Sequence, residues 1–343
     1  MRGSGIIARV AAIAAVAFIP FASASAAAST RLGVVNWIGY GPIYCAAANG
    51  YYRKYGWDVK LVTFSDNSLM SGALEGGEIE ASTLTYDQVI TAASKGWKLK
   101  VVMPLDYSVG GDAIVSKTAI RSVKELKGRK VAFQPLSPSD FLLAYALAQS
   151  GLSQKDIRAV NSTPEQVVAV VATGAVDAGV TYEPSVSTIR KLGGGKQFHV
   201  LLSSREARGM ITDVLALTQS TIAKNPKLVD ALIRGTLDGL TYMRQEPDKA
   251  AALIAKALEI SPDDVKSQLA NVENPPLNQL DEVFRKSSAL PSFYASGSLI
   301  ADILKKEGQI QASPPIEATY DASFVAALQA NAVTPQVSSG VSR

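Results

Sequence analysis

Trp37, Tyr40, Asp112, Glu183 and Asp213 are the residues best equipped to hold a small polar molecule. Each lies in or beside a loop with Gly, Pro or aromatic neighbours, at the end of an apolar run that reads as a strand. Tyr86, Asp87, Asp106, Gln134, Ser137, Ser139 and Tyr182 occupy comparable junctions and complete the candidate set. The set is aromatic, hydroxylic and acidic, with Lys and Arg scarce. An ammonium or guanidinium would pair with the carboxylates and stack on Trp37 or Tyr40. A zwitterion would add its acid head at a helix N-terminus. A bare anion would use Ser137, Ser139 and the backbone N–H groups of the helix opening at Pro138. The residues leave these three chemistries open.

Two positions sharpen the charge argument. Asp112 follows Gly110-Gly111, where the backbone can come close to a ligand. Glu183 precedes Pro184, which suits a first helical turn and holds Glu183 out of α geometry.

Other chemistries find few residues. The chain has one Cys and one His, so zinc binding and Cys/His catalysis are nearly excluded. Cys45 reads as a small buried hydrophobe and His199 as a structural strand residue. No metal site and no cofactor motif is expected: neither a G-x-G-x-x-G nor a Walker pattern falls at a strand-to-helix junction. No basic run interleaved with aromatics marks a nucleic-acid surface.

The elements that would position these residues alternate, as in α/β proteins. Strands are expected at 31–36, 57–64, 80–84, 99–104, 113–116, 130–133, 159–161, 178–181, 198–202 and 213–218. Helices are expected at 68–75, 86–94, 138–149 and 164–172. From about Asn225 the texture turns helical, over 225–244, 247–258, 261–269, 278–286 and 296–306. Ser261-Pro262-Asp263-Asp264 shows the grammar: an N-cap, Pro at the first helical position, then acids in the first turn.

The first 28 residues read as a cleavable leader. Arg2 and Arg9 precede the apolar run Val10–Phe21, and A-x-A sites end at Ala26 and Ala28. No cysteine follows that run directly, so no lipid anchor is expected. Without Arg2 and Arg9, 32 basic and 30 acidic residues remain. A remainder of about 315 residues favours roughly two domains.

Six segments in order carry a family resemblance: 37–42, 72–81, 105–115, 122–132, 134–143 and 174–184. Together they resemble periplasmic solute-binding proteins of the nitrate/sulfonate/taurine class of ABC importers. The last, Gly174 through Tyr182-Glu183-Pro184, is the most specific. Glu80 stands where the family has Asp. The resemblance implies an α/β periplasmic-binding fold of type II, with ligand held between two lobes. It places 29–117 and 210–335 in the first lobe, 118–209 in the second, and a flexible tail at 336–343. Crossovers are expected near Ser116–Thr118 and Ser204–Gly209. It further implies a monomeric, non-catalytic periplasmic receptor that closes on a small nitrogen or sulfur compound and docks on a permease with its ATPase. The Asp106…Asp112 and Tyr182-Glu183-Pro184 variants resemble members linked to urea or guanidine. The resemblance leaves alternatives open: a pyrimidine (thiamine-precursor) binding protein, a pyrimidine synthase on the same scaffold, for which several His residues are missing, and a sensing domain for a membrane partner.

Overall fold

The computed structural model describes residues 27–333. The expected leader, up to residue 26, and the expected tail lie outside the described residues. The chain opens with β1 (Ala28–Val34), a 3-10 turn at Ile38–Tyr40, α1 (Gly41–Ala48), β2 (Trp57–Thr63), α2 (Asn67–Glu75), β3 (Ala81–Thr85), α3 (Tyr86–Ser94) and β4 (Leu99–Ser108). A second run follows: β5 (Asp112–Lys117), β6 (Lys130–Phe133), α4 (Pro138–Gln149), β7 (Arg158–Asn161), α5 (Pro164–Ala172), β8 (Ala178–Tyr182), α6 (Ser185–Lys191) and β9 (Phe198–Ser203). The chain then returns through β10 (Thr212–Thr218), α7 (Gln219–Lys224), α8 (Pro226–Gln245), α9 (Pro247–Leu258), α10 (Pro262–Leu269), β11 (Val272–Glu273), α11 (Phe293–Lys306) and α12 (Ser323–Val333).

These strands form two sheets, ordered β11-β4-β10-β3-β1-β2 and β7-β6-β8-β5-β9. Parallel pairs build one side of each (β1 with β2 and β3; β6 with β7 and β8), while β10 and β5 run antiparallel to their neighbours. The central strand β3, Ala-Ser-Thr-Leu-Thr, is buried throughout, as expected of a strand covered on both faces. Helix starts follow local chemistry. Asp66 caps α2, Ser137 caps α4 ahead of Pro138, and Thr85 with Gln88 forms a capping box on α3. All three starts sit where a strand hands over to a helix.

Several boundaries differ from expectation. Residues 112–117, expected in the first lobe, pair with β8 and β9 in the second sheet. The first passage between sheets is therefore Val109–Gly111, not Ser116–Thr118. The break at Ser116 is only the end of β5. The return passage, 204–211, overlaps the expected one, and Ser108 Oγ and Ser204 Oγ tie the two passages at 2.7 Å. The helix expected at 278–286 is two 3-10 turns, Leu277–Gln279 and Glu282–Phe284. Gln329 holds this segment through Leu277 O and Asp281, and Phe284 turns inward against Phe293. Neither β11 nor α12 is expected from sequence.

Candidate functional site

The carboxyl ends of parallel strands from both sheets meet, and the loops leaving them carry most of the candidate residues. After β1 the chain passes through Trp37 into the 3-10 turn. Trp37 Nε1 lies 3.2 Å from both Asp106 oxygens, and the Tyr40 hydroxyl donates to Asp213 Oδ1 at 2.5 Å. Asp106 and Asp213 are cross-strand partners on β4 and β10. Directly opposed residues of an antiparallel pair project to one face, so these acids crowd one another.

The opposing wall comes from the second sheet. The Asp112 N–H donates to Ser108 Oγ at 3.0 Å. Tyr182, at the end of β8, meets Trp37 edge-to-face with centroids 5.8 Å apart. Asn67 spans the gap: its Nδ2 donates to Gln134 Oε1 at 2.9 Å and to the Tyr182 hydroxyl at 2.8 Å. Gln134 answers by donating to Asp66 at 2.7 Å. Gly111 is required here, because a Cβ would stand 2.3 Å from Trp37 Cη2. Trp37, Tyr40, Asn67, Asp112, Tyr182 and Asp213 enclose a void with Val35, Thr85, Gln88 and Pro138. Its volume, about 10 Å³, gives room for roughly one water.

The electrostatics are one-sided. Asp87, Asp106, Asp112 and Asp213 are all buried, and no Lys, Arg or His is buried among the described residues. Burial disfavours the charged form of an acid, and a neighbouring carboxylate adds to that. Asp112 is pushed up to about 7, first by burial and then by Asp87 and Glu183, against the hydrogen bond from Ser108. Asp87 rises to about 6, chiefly through burial. Asp106 and Asp213 shift upward as an interacting pair, again with burial as the leading cause. The Tyr40 hydroxyl is held protonated by burial and by Asp213.

The expected residues divide accordingly. Trp37, Tyr40, Asp112, Tyr182 and Asp213 line the void. Asp106, Asp87 and Gln134 stand behind or beside these, through the contacts above. Ser137 caps α4 and donates to Gln134 O at 2.7 Å, while Ser139 Oγ is buried with no hydrogen-bond partner. Two residues do not join them. Tyr86 turns into the core, stacked on Phe293 with its hydroxyl 2.8 Å from Thr319 Oγ1. The Glu183 carboxylate accepts from Ser187 N at 2.9 Å and from Ser187 Oγ at 2.8 Å, capping its own helix. The sequence reading also omits Asn67, Thr85 and Gln88. The available signal is position: each lies within two residues of a predicted helix start that follows a strand.

The lone Cys and His sit in other settings. Cys45 is buried in α1, its thiol pushed up to about 12 by burial. His199 Nε2 lies 2.7 Å from Ile120 O. No group of three or more His, Cys, Asp or Glu among the described residues is arranged to hold a metal. None of their helices is long and apolar enough to cross a membrane.

Comparison with known proteins gives one family and one fold. The family model described as NMT1/THI5 like matches residues 37–250. The taurine-binding periplasmic protein of Escherichia coli (strain K12) is 25% identical over 240 residues, 69% of this chain and 72% of that protein. Among solved structures, the alkanesulfonate-binding protein SsuA from Xanthomonas axonopodis pv. citri, bound to MOPS, is similar with TM-score 0.71 at 20% identity. It covers 87% of this chain and 100% of its own. The same fold occurs in a desulfurization enzyme, DSZB, with TM-score 0.61 at 13% identity, covering 89% of this chain and 99% of its own.

Proposed function

The chain belongs to the NMT1/THI5-like family, and from that premise we propose that it is the extracytoplasmic solute receptor of an ABC importer. It captures a small polar compound carrying nitrogen or sulfur between its two lobes and presents it to a membrane permease with its ATPase. One observation carries the reading. Strand ends of two sheets face each other, and Asn67 hydrogen-bonds across the gap to Gln134 and Tyr182. With space for about one water left between the walls, a solute enters only when the lobes part. Hinged closure of this kind is established for periplasmic binding proteins. The passages at 109–111 and 204–211 supply the hinge, with Gly110 at φ +125, a backbone state that favours glycine.

A receptor role also suits the side chains of the cleft. They offer hydrogen bonds, aromatic faces and carboxylates, while Cys45 and His199 belong to other parts of the fold. The test is solute binding with closure. The purified protein is titrated with small ammonium, guanidinium, sulfonate, nitrate and urea compounds, and small-angle scattering follows its dimensions. One compound is expected to bind one-to-one, with the bound form no larger than the free form. Turnover of a bound compound, or no binding by any class, would overturn the receptor reading.

A further inference from the structure

We propose, building on the receptor reading, that the captured solute is an organic cation bearing an ammonium or guanidinium group, received by Asp112 and Asp213. Both carboxylates line the void, with Asp87 and Asp106 buried beside them. The charged neighbours acting on Asp106, Asp112 and Asp213 are all carboxylates. The cations on this side of the second sheet, Arg190 and Lys191, act on Glu183 rather than on these acids, and Lys191 is paired with Asp264. A sulfonate or nitrate would therefore meet a wall of carboxyl groups with no buried cation to offset its charge.

The usual site for an anion is also partly occupied. Helix N-termini attract anions through free N–H groups and the helix dipole. Of the four helices whose caps or first residues line the void, α3 and α4 carry acids in the first turn, Asp87 and Asp140, α2 is capped by Asp66, and α1 has neither, though Pro42 removes one of its N–H groups. Asp140 already accepts the Leu136 N–H at 2.8 Å, and Ser137 Oγ accepts the Ser139 N–H at 3.2 Å. By contrast, the cleft offers a cation two carboxylates and the rings of Trp37, Tyr40 and Tyr182. One further buried group is available to a solute. Ser139 Oγ, next to the void-lining Pro138, is buried and unpartnered, a hydroxyl free to accept from or donate to a solute.

Cation binding has a proton signature. Tyr40 is acted on by Asp213 and Asp106, Tyr182 by Glu165, Asp112 and Asp213, Asp112 by Asp87 and Glu183, and Asp87 by Asp140. No base in that group gains a proton when a cation arrives; the acids lose theirs. Affinity for a cation then rises from about pH 5.5 to about pH 8, and binding at neutral pH releases protons.

The experiment uses the purified protein in thermal-shift and calorimetric titrations, the latter in two buffers of different ionisation enthalpy. The probes are methylammonium, methylguanidinium, agmatine and choline, with methanesulfonate, nitrate and urea alongside. At least one cation is expected to stabilise the protein saturably and release protons. Asp112→Asn and Asp213→Asn should each weaken it by about 30-fold or more. Buffer-dependent heats on the unmutated protein keep the test independent of how the variants fold. Stabilisation by methanesulfonate, nitrate or urea with none from the cations overturns the proposal and leaves the receptor reading standing. No binding by any probe takes down both.

Discussion

Asp106 and Asp213 oppose each other on adjacent strands with no buried cation between them, so the ligand-free fold holds protons there that the unfolded chain releases. Unfolded carboxylates titrate near pH 4. In the fold, Asp87 and Asp112 are raised to about 6 and about 7, and Asp106 and Asp213 also rise. Between these ranges the native state binds more protons than the unfolded state, so stability is fullest at low pH and falls as pH climbs through the folded values. The ligand-free melting temperature is expected to be lower at about pH 8 than at about pH 5, with Asp106→Asn flattening the slope. A melting temperature that rises over this interval would contradict the acid cluster. Asn67 permits a second check. Asn67→Ala leaves the Tyr182 hydroxyl and the Gln134 amide without their shared partner. Leaving such buried groups unsatisfied costs about 1–3 kcal/mol, measurable by denaturant unfolding. A loss below about 0.5 kcal/mol would mean that the bridge is replaced by water.

Elements set these side chains by close backbone packing. Helices α1 and α8 approach so tightly that a Cβ on Gly239 would lie 2.0 Å from Pro42 O. Gly239→Ala is expected to destabilise by about 1–3 kcal/mol through overpacking, read as a lower denaturation midpoint; a neutral outcome would show that α1 can shift. Because α1 follows the turn carrying Tyr40, the same change should also disturb ligand binding. Much of this level is legible in the sequence. All ten expected strands are present, because apolar runs ended by Gly, Pro and Asn are strong strand signals. The Trp37 loop and Asp112 are legible for the same reason, standing beside glycines at strand ends. Tyr86 is not: its position at a helix start matches the cleft residues, and only packing against Phe293 reveals that its ring turns inward. Glu183 misleads similarly, since its carboxylate is taken up by Ser187 four residues along. The 112–117 assignment fails because sheet membership depends on long-range pairing, which a three-residue connection does not announce. Asn67 is hidden by its role as an ordinary first helical residue.

At the scale of the whole molecule, two sheets joined by passages at 109–111 and 204–211 enclose a small acidic, aromatic cleft. Gly111→Ala would drive a Cβ into Trp37, and is expected to impair binding more than it lowers stability, because Trp37 belongs to the cleft wall. The family and the fold leave the solute's charge open; the cleft's own residues argue for a cation. Native mass spectrometry tests that claim most directly. The purified protein is incubated with a polar small-molecule extract, desalted and weighed intact, and the released compound is then identified. The account predicts a single low-mass adduct at one-to-one stoichiometry, a cation at neutral pH, lost or strongly reduced in Asp112→Asn and Asp213→Asn. A bound sulfonate or other anion, or an adduct that both variants retain undiminished, would contradict it.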